Sequence, residues 1–288
     1  MGTVRREQVN GHAVHVLPVD EVPAEVRRRV ALAHRRAQRL LAEAEALVRE
    51  ALALDRRMFG ERHSYVAESL RNLGNIRRMR GDFAGADSAI SAALTINRQI
   101  LAEPHGRIAA TLNALGLLRF AAGDGPGAIA ALRESLDQYR RALGEEHRST
   151  TIARAALAQV LAEHGEPREA EVVARAALRR LDPAKKEHRQ HHANAELALG
   201  KALLAQGRTD EALVALEDAV RRSRAHYGER DWRTAEPLLA YGTALLAAAR
   251  AVDGATAIRA AEAAIATNAK GSLRVSRKVA TAVARLPG

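Results

Sequence analysis

Leucine and alanine fall on one face of a helix again and again along this chain, and the pattern returns at a fixed interval. One period, 42 residues, separates Leu73 from Leu115, Leu115 from Leu157 and Leu157 from Leu199. Ala86, Ala128, Ala170 and Ala212 keep the same interval, as do Gly81, Gly123, Gly165 and Gly207, and as do His63, His105 and His147. A helix-spaced apolar stripe, a glycine and a second such stripe in every period predict a helix, a tight turn and a second helix. Glycine can take the left-handed conformation that ends the first helix. Pro126 and Pro167 suit the opening turn of the helix that follows, and Thr209 would cap another. Five helical pairs are therefore predicted, over residues 60–101, 102–143, 144–185, 186–227 and 228–269. Small residues Gly74, Gly116, Ala158, Gly200 and Gly242 let the paired helices approach closely, while the leucine column fills the gap.

The flanks depart from this rule. Between Ala24 and Arg57 the apolar residues Val26, Val30, Leu40, Leu41, Ala44, Val48 and Leu52 recur at helical spacing, without Gly or Pro. Either one long helix or a helix pair fits. Counting back one period from Ala86 and Leu94 reaches Ala44 and Leu52, which favours a degenerate first unit over 24–59, with Arg39 where the turn glycine would stand. Residues 1–23 form a leader, read as a β-hairpin about Asn10-Gly11 or as a disordered segment, closed by a linker from Pro18 to Pro23. The fifth pair decays, with Ala249 in the glycine column and Gly254 in the alanine column. Residues 270–288 then supply a last amphipathic helix, Leu273 to Leu286, expected to cover the final exposed face.

Composition narrows the chemistry. No cysteine occurs, so disulfides, thiolate metal sites and cysteine nucleophiles are excluded. A formal charge of +11, carried mostly by arginine, favours acidic partners. Arg5 and Arg6 are not followed by the apolar run of a secretory signal, and no run of apolar residues is long enough to span a bilayer, so a cytoplasmic location is expected. No phosphate-binding glycine loop, HExxH pair or nucleophile elbow is present, and no enzyme activity or cofactor is expected. His188 and His192, four apart on one helix, have a spacing that can hold a metal, but Lys185, Lys186 and Arg189 beside them disfavour a cation, and no metal site is expected.

Leu73-Gly74, Gly81-Asp82-Phe83, Ala86 and Ala93-Leu94 resemble the tetratricopeptide repeat. The period narrows the resemblance, and Gly60-Glu61-Arg62-His63 and Gly144-Glu145-Glu146-His147 look like the kinesin light chain type. That resemblance covers about residues 60 to 268. It implies an all-α, right-handed superhelix of about five to six helical hairpins with a C-terminal capping helix. It further implies a protein- or peptide-binding scaffold, without implying a motor partner. Arg154 and Glu196 replace the Leu70 and Leu112 column, so the middle of the array is expected to be looser there or to turn that position outward.

In the family the first helices line a concave groove, through residues beside the Leu-Gly pair. Carried over, these are Arg71, Asn75, Arg78 and Asn113, with Arg29 and Arg36 from the degenerate unit. Farther along they become Leu117, Phe120 and Ile152, then Gln159 and Glu163, then Asn194 and Lys201. Arg71, Asn75 and Arg78 share one helical face, and guanidinium forks beside carboxamides suit a carboxylate or phosphate. An acidic protein or peptide segment is the expected ligand, with an apolar anchor near Phe120. Two other readings stand: nucleic-acid association through the arginine-rich surface, and self-association through the leader or the terminal helix. Membrane association is not expected.

Overall fold

Where helix-stopping residues stand decides where this chain turns. The computed structural model describes residues 6–9, 12–15, 24–182, 184–229, 231–267 and 273–286. Strands β1 (Arg6–Val9) and β2 (His12–His15) pair antiparallel, with Arg6 opposite His15 and Val9 opposite His12. Asn10, Gly11 and the linker from Pro18 to Pro23 lie outside the described residues. Helix α1 (Ala24–Phe59) follows. Then come the pairs α2 (Ser64–Arg80) and α3 (Phe83–Ile100), α4 (Gly106–Ala122) and α5 (Gly125–Leu143), α6 (Arg148–Glu163) and α7 (Pro167–Leu178). Two further pairs are α8 (Arg189–Ala205) with α9 (Thr209–Tyr227) and α10 (Ala235–Ala247) with α11 (Ala251–Thr267), and α12 (Leu273–Val283) comes last.

The turns are made as the glycine column requires. Gly81 sits at φ +85°, its N–H donating to the Arg78 carbonyl at 3.1 Å while the Asp82 N–H reaches the Arg77 carbonyl at 3.0 Å. Asp82 then caps α3, accepting from the Gly85 N–H at 2.9 Å. At the corresponding position after α10, Ala249 takes φ +58° and does the glycine's work with a Cβ in place. Arg39 takes no such conformation, and α1 runs through it as one 36-residue helix. The histidine column is explained by capping. His63, His105 and His147 each accept, through Nδ1, the backbone N–H two residues on, at 3.2, 3.0 and 3.1 Å.

Two compact units divide the chain: residues 38–182, and residues 1–37 with 183–288. Within the first, α2 packs on α3, α4 on α5 and α6 on α7, while α3 and α5 also pack on the first helix of the next pair. Close approach within pairs depends on missing side chains. A Cβ on Gly116 would lie 2.6 Å from Leu132 Cγ, and one on Gly242, in the other unit, 2.7 Å from Ile258 Cγ1. The core between pairs is aliphatic, with Ile90, Ile108, Leu112 and Leu118 buried together. In the second unit Val275 and Val279 of α12 are buried against Leu238, Ala261 and Ala264, which covers the end of the stack. Successive first helices touch, α2 to α4 to α6 in one unit and α8 to α10 in the other, whereas successive second helices make no comparable contact. In each unit the first helices thus form the inner side.

The leucine column brings a correction. Arg154 and Glu196 do not turn outward; they are buried at 7% and 5% exposure. Arg154 is held by Glu145, donating from Nη1 to its carbonyl at 3.1 Å and pairing with its carboxylate. Glu196 accepts from Arg222 Nε at 3.1 Å, and His192 Nδ1 lies 3.1 Å from the same oxygen. A buried charge is tolerable when it is paired, and both are. His192 Nδ1 makes no hydrogen bond there, and among the described residues no cluster of three or more metal-ligating side chains occurs. No described helix is long and apolar enough to cross a membrane.

Candidate partner-binding face

Helix α2 carries four arginines, Arg71, Arg77, Arg78 and Arg80, and one glutamate of α1 sorts them. Glu45 of α1 is 2% exposed and accepts from Arg77 Nε at 3.1 Å and from Arg80. Burial alone would raise its carboxyl, but the hydrogen bonds from Arg77 and Arg80 and the charges of Arg49 and Arg80 outweigh burial and hold it below its ordinary value. Arg77 also donates to the Gly85 carbonyl at 3.1 Å, fastening the turn. Two of the basic side chains are thus structural.

Arg71 and Arg78 are left for other work. Arg71 is half-buried and reaches Glu68 only at 3.8 Å. Arg78 is half-buried, burial pushes its guanidinium below its ordinary value, and its Nε has no hydrogen-bond partner. One period on, in α4, the half-buried Asn113 has a buried Oδ1 that also lacks a partner. Asn75 is half-buried between these positions in the repeat. The structure therefore brings an orphan donor and an orphan acceptor to the inner helices of one unit.

The apolar part of the face is half-buried too. Leu117, Phe120, Ile152 and, beside them, Gln159 and Glu163 share that intermediate exposure. Phe120 meets the His164 ring edge-on at 5.8 Å, so part of it already packs within the protein. Sequence reasoning missed Tyr139, because it assigned the face to first helices alone. This residue lies in the last turns of α5; burial raises its phenol, against the charge of Arg71, which lowers it. Its repeat column, Asn97, Tyr139, Leu181 and Ser223, carries no common chemistry that could have singled it out.

The remaining expected residues belong to the other unit. Arg36 is exposed, and the side chain of Arg29 lies outside the described residues. Asn194 is half-buried on α8. Lys201 Nζ lies 2.6 Å from Glu236 Oε1 on α10, and Lys278 of α12 approaches the same oxygen at 3.9 Å. Burial would raise the Glu236 carboxyl, but the charge and hydrogen bond of Lys201 and the charge of Lys278 hold it low. An open depression of about 650 Å³ lies elsewhere, lined by Arg49, Leu52, Ala53, Arg56, Arg57 and Leu73, and none of the expected residues lines it.

A family model described as tetratricopeptide repeat matches residues 23–99 and 107–182, and a second of the same description matches residues 197–232. No curated protein matches the sequence. Among solved structures, BtubC (BKLC) from P. vanneervenii is similar at 20% identity and TM-score 0.59, over 82% of this chain and 89% of that one. A putative kinesin light chain from Podosopora anserina, with nearly identical TPR-like repeats, is similar at 18% identity and TM-score 0.56, over 70% of this chain and 96% of that one. A Rap protein complexed with Competence and Sporulation Factor is similar at 14% identity and TM-score 0.56, over 84% and 77%. At these identities the likeness is one of fold: stacked helical hairpins with kinesin light chain-like repeats among the neighbours.

Proposed function

The chain belongs to the tetratricopeptide repeat family, and from that premise we propose that it is a non-enzymatic scaffold holding an acidic protein or peptide segment on the inner face of α2, α4 and α6. The observation that carries this reading is the pair of orphan atoms, Arg78 Nε and Asn113 Oδ1. Buried polar groups nearly always find a partner, and one left without costs about 1–3 kcal/mol. A bound segment offering both a carboxylate or carbonyl and an N–H satisfies the two at once. Arg71 and Asn75 add donors beside them, and Leu117, Phe120 and Ile152 offer the apolar anchor. The net charge of +11 draws an acidic ligand in, with a reach that salt shortens.

Support for a protein ligand comes from the likeness in fold to the Rap protein complexed with Competence and Sporulation Factor. We further propose that the scaffold works in a bacterial signalling or regulatory assembly in the cytoplasm. The test is fluorescence anisotropy with labelled acidic peptides, charge-neutral peptides and random-sequence RNA, on the parent chain and on Arg71→Glu/Arg78→Glu. Acidic peptides should bind the parent best, and the double variant should lose them while circular dichroism shows its helices intact. Equal binding by the folded double variant sinks the reading, and preferential retention of RNA replaces it with nucleic-acid association.

A further inference from the structure

Helices α1, α3, α5 and α9 end on the same device. In each, an arginine near the C-terminus reaches the glutamate five residues on: Arg56 to Glu61 at 3.0 Å, Arg98 to Glu103 at 3.3 Å, Arg140 to Glu145 at 3.4 Å and Arg224 to Glu229 at 3.1 Å. At Glu145 this device is overloaded. The buried Arg154 takes one oxygen of its carboxylate, Arg180 approaches that same oxygen at 3.9 Å, and Arg140 is left at 3.4 Å from the other. Arg180 turns its Nε to Glu146 at 3.0 Å, and the exposed Arg179 beside it makes no hydrogen bond or ion pair among the described residues. One period earlier the same corner carries Leu112 in place of Arg154, Asp137 in place of Arg179 and Gln138 in place of Arg180, and the neutral Gln138 donates to Glu103 at 2.6 Å. The corner at Glu145 thus gathers three further cations against one further carboxylate, Glu146, whose side chain is 78% exposed. Burial, and after it the charges of Arg180, Arg140 and Arg179, push the Arg154 guanidinium below its ordinary value.

We infer that this corner binds a phosphate dianion, which takes the place of the Glu145 carboxylate among Arg140, Arg154 and Arg180 and draws in Arg179 from the solvent side. A carboxylate brings one charge to a site where several guanidiniums compete for it. Phosphate brings two, with enough oxygens for the forks of more than one arginine. The Glu145 side chain is 45% exposed on the loop between α5 and α6, so it can turn to water when displaced. Arg154 keeps the Glu145 carbonyl at 3.1 Å throughout, which holds its guanidinium in place for the incoming anion. An external carboxylate would exchange one charge for an equal one and gain nothing, so the site discriminates against acidic side chains. All of these residues belong to the unit of residues 38–182, and none is among those of the inner face. Inorganic phosphate and the phosphate ester of a phosphoserine segment present the same dianion.

Isothermal titration calorimetry of the full chain tests this, with inorganic phosphate, a phosphoserine peptide of otherwise neutral residues, its unphosphorylated form and acetate, all at matched ionic strength. Phosphate or the phosphopeptide should bind, and acetate and the unphosphorylated peptide should not. Glu145→Gln removes the internal competitor and should tighten binding about tenfold. Arg140→Gln with Arg179→Gln, both at exposed positions, should weaken it about tenfold, and this pair carries the test if circular dichroism shows that Glu145→Gln does not fold. Arg71→Glu/Arg78→Glu should bind phosphate as the parent does, which separates this site from the inner face. Binding of the phosphopeptide alone assigns the phosphate to a partner protein, and binding of inorganic phosphate alone assigns it to the free ion. No binding of either beyond that of acetate, a folded Glu145→Gln that binds no tighter, or indifference to the paired arginine substitutions overturns the proposal.

Discussion

On α2 and α4 the inner face leaves Arg78 Nε and Asn113 Oδ1 buried without partners, whereas on α8 and α10 Lys201 closes on Glu236 at 2.6 Å. Lys201 and Glu236 have counterparts in the first stretch. Asn75 and Lys201 stand in one column, and Glu68 and Glu236 in another. The difference lies in the neighbouring helix. Among the described residues Glu68 pairs with Arg71 of its own helix, at 3.8 Å, while Glu236 of α10 finds Lys201 on α8, the first helix of the preceding pair, and Lys278 on α12. A basic residue on an inner face is thus available to a ligand only where the adjacent repeat withholds a counter-charge. The terminal helix adds a cation as well as a cover.

The contrast breaks most visibly at Glu236. Replacing it with Ala strands Lys201, itself half-buried, and should cost about 2 kcal/mol by denaturant unfolding; the double variant with Lys201→Ala should cost less than the two single losses added. The same carboxyl gives an acid signature. Because its folded value lies below the unfolded one, of about 4.3, its contribution is present above that value and is lost as pH falls through the folded value. Parent stability should therefore fall more steeply than that of Glu236→Gln below about pH 4, with Glu45 adding a similar loss in both. On the other inner face the sign reverses. Asn113→Leu removes an orphan acceptor, so stability should stay level or rise by about 1 kcal/mol while acidic-peptide binding drops. A rise in stability without loss of binding would detach the orphan atoms from ligand capture.

Smaller effects sharpen the comparison. Ala249→Gly should stabilise by about 1 kcal/mol by relieving a left-handed residue of its Cβ, and Gly81→Ala should destabilise by a similar amount, as thermal unfolding would show. Glu68→Gln, at a long and exposed contact, should change stability by less than about 0.5 kcal/mol.

Sequence alone made the period, the turn glycines and the helix pairs legible, because each depends on residues within one repeat. Gly74 and Gly116 announce close packing since no other residue leaves room for Ile90 and Leu132 there. What it could not show depends on residues a repeat apart. Arg154 and Glu196 read as breaks in the leucine column, and only the positions of Glu145 and Arg222 reveal that both charges are carried inward and neutralised. Lys201 looks like a groove residue until Glu236 is set against it. Separating Arg71 and Arg78 from Arg77 and Arg80 required Glu45, a residue of α1 outside the regular pairs. The single course of α1 was open as well, since its apolar spacing suits a straight helix and a bent one alike.

Within a unit each regular pair meets the next through a largely alanine and leucine surface, while the glycine notches lie inside the pairs. Such pairs can be duplicated or deleted whole without redesigning their neighbours, so descendants of this chain can change length in steps of one period.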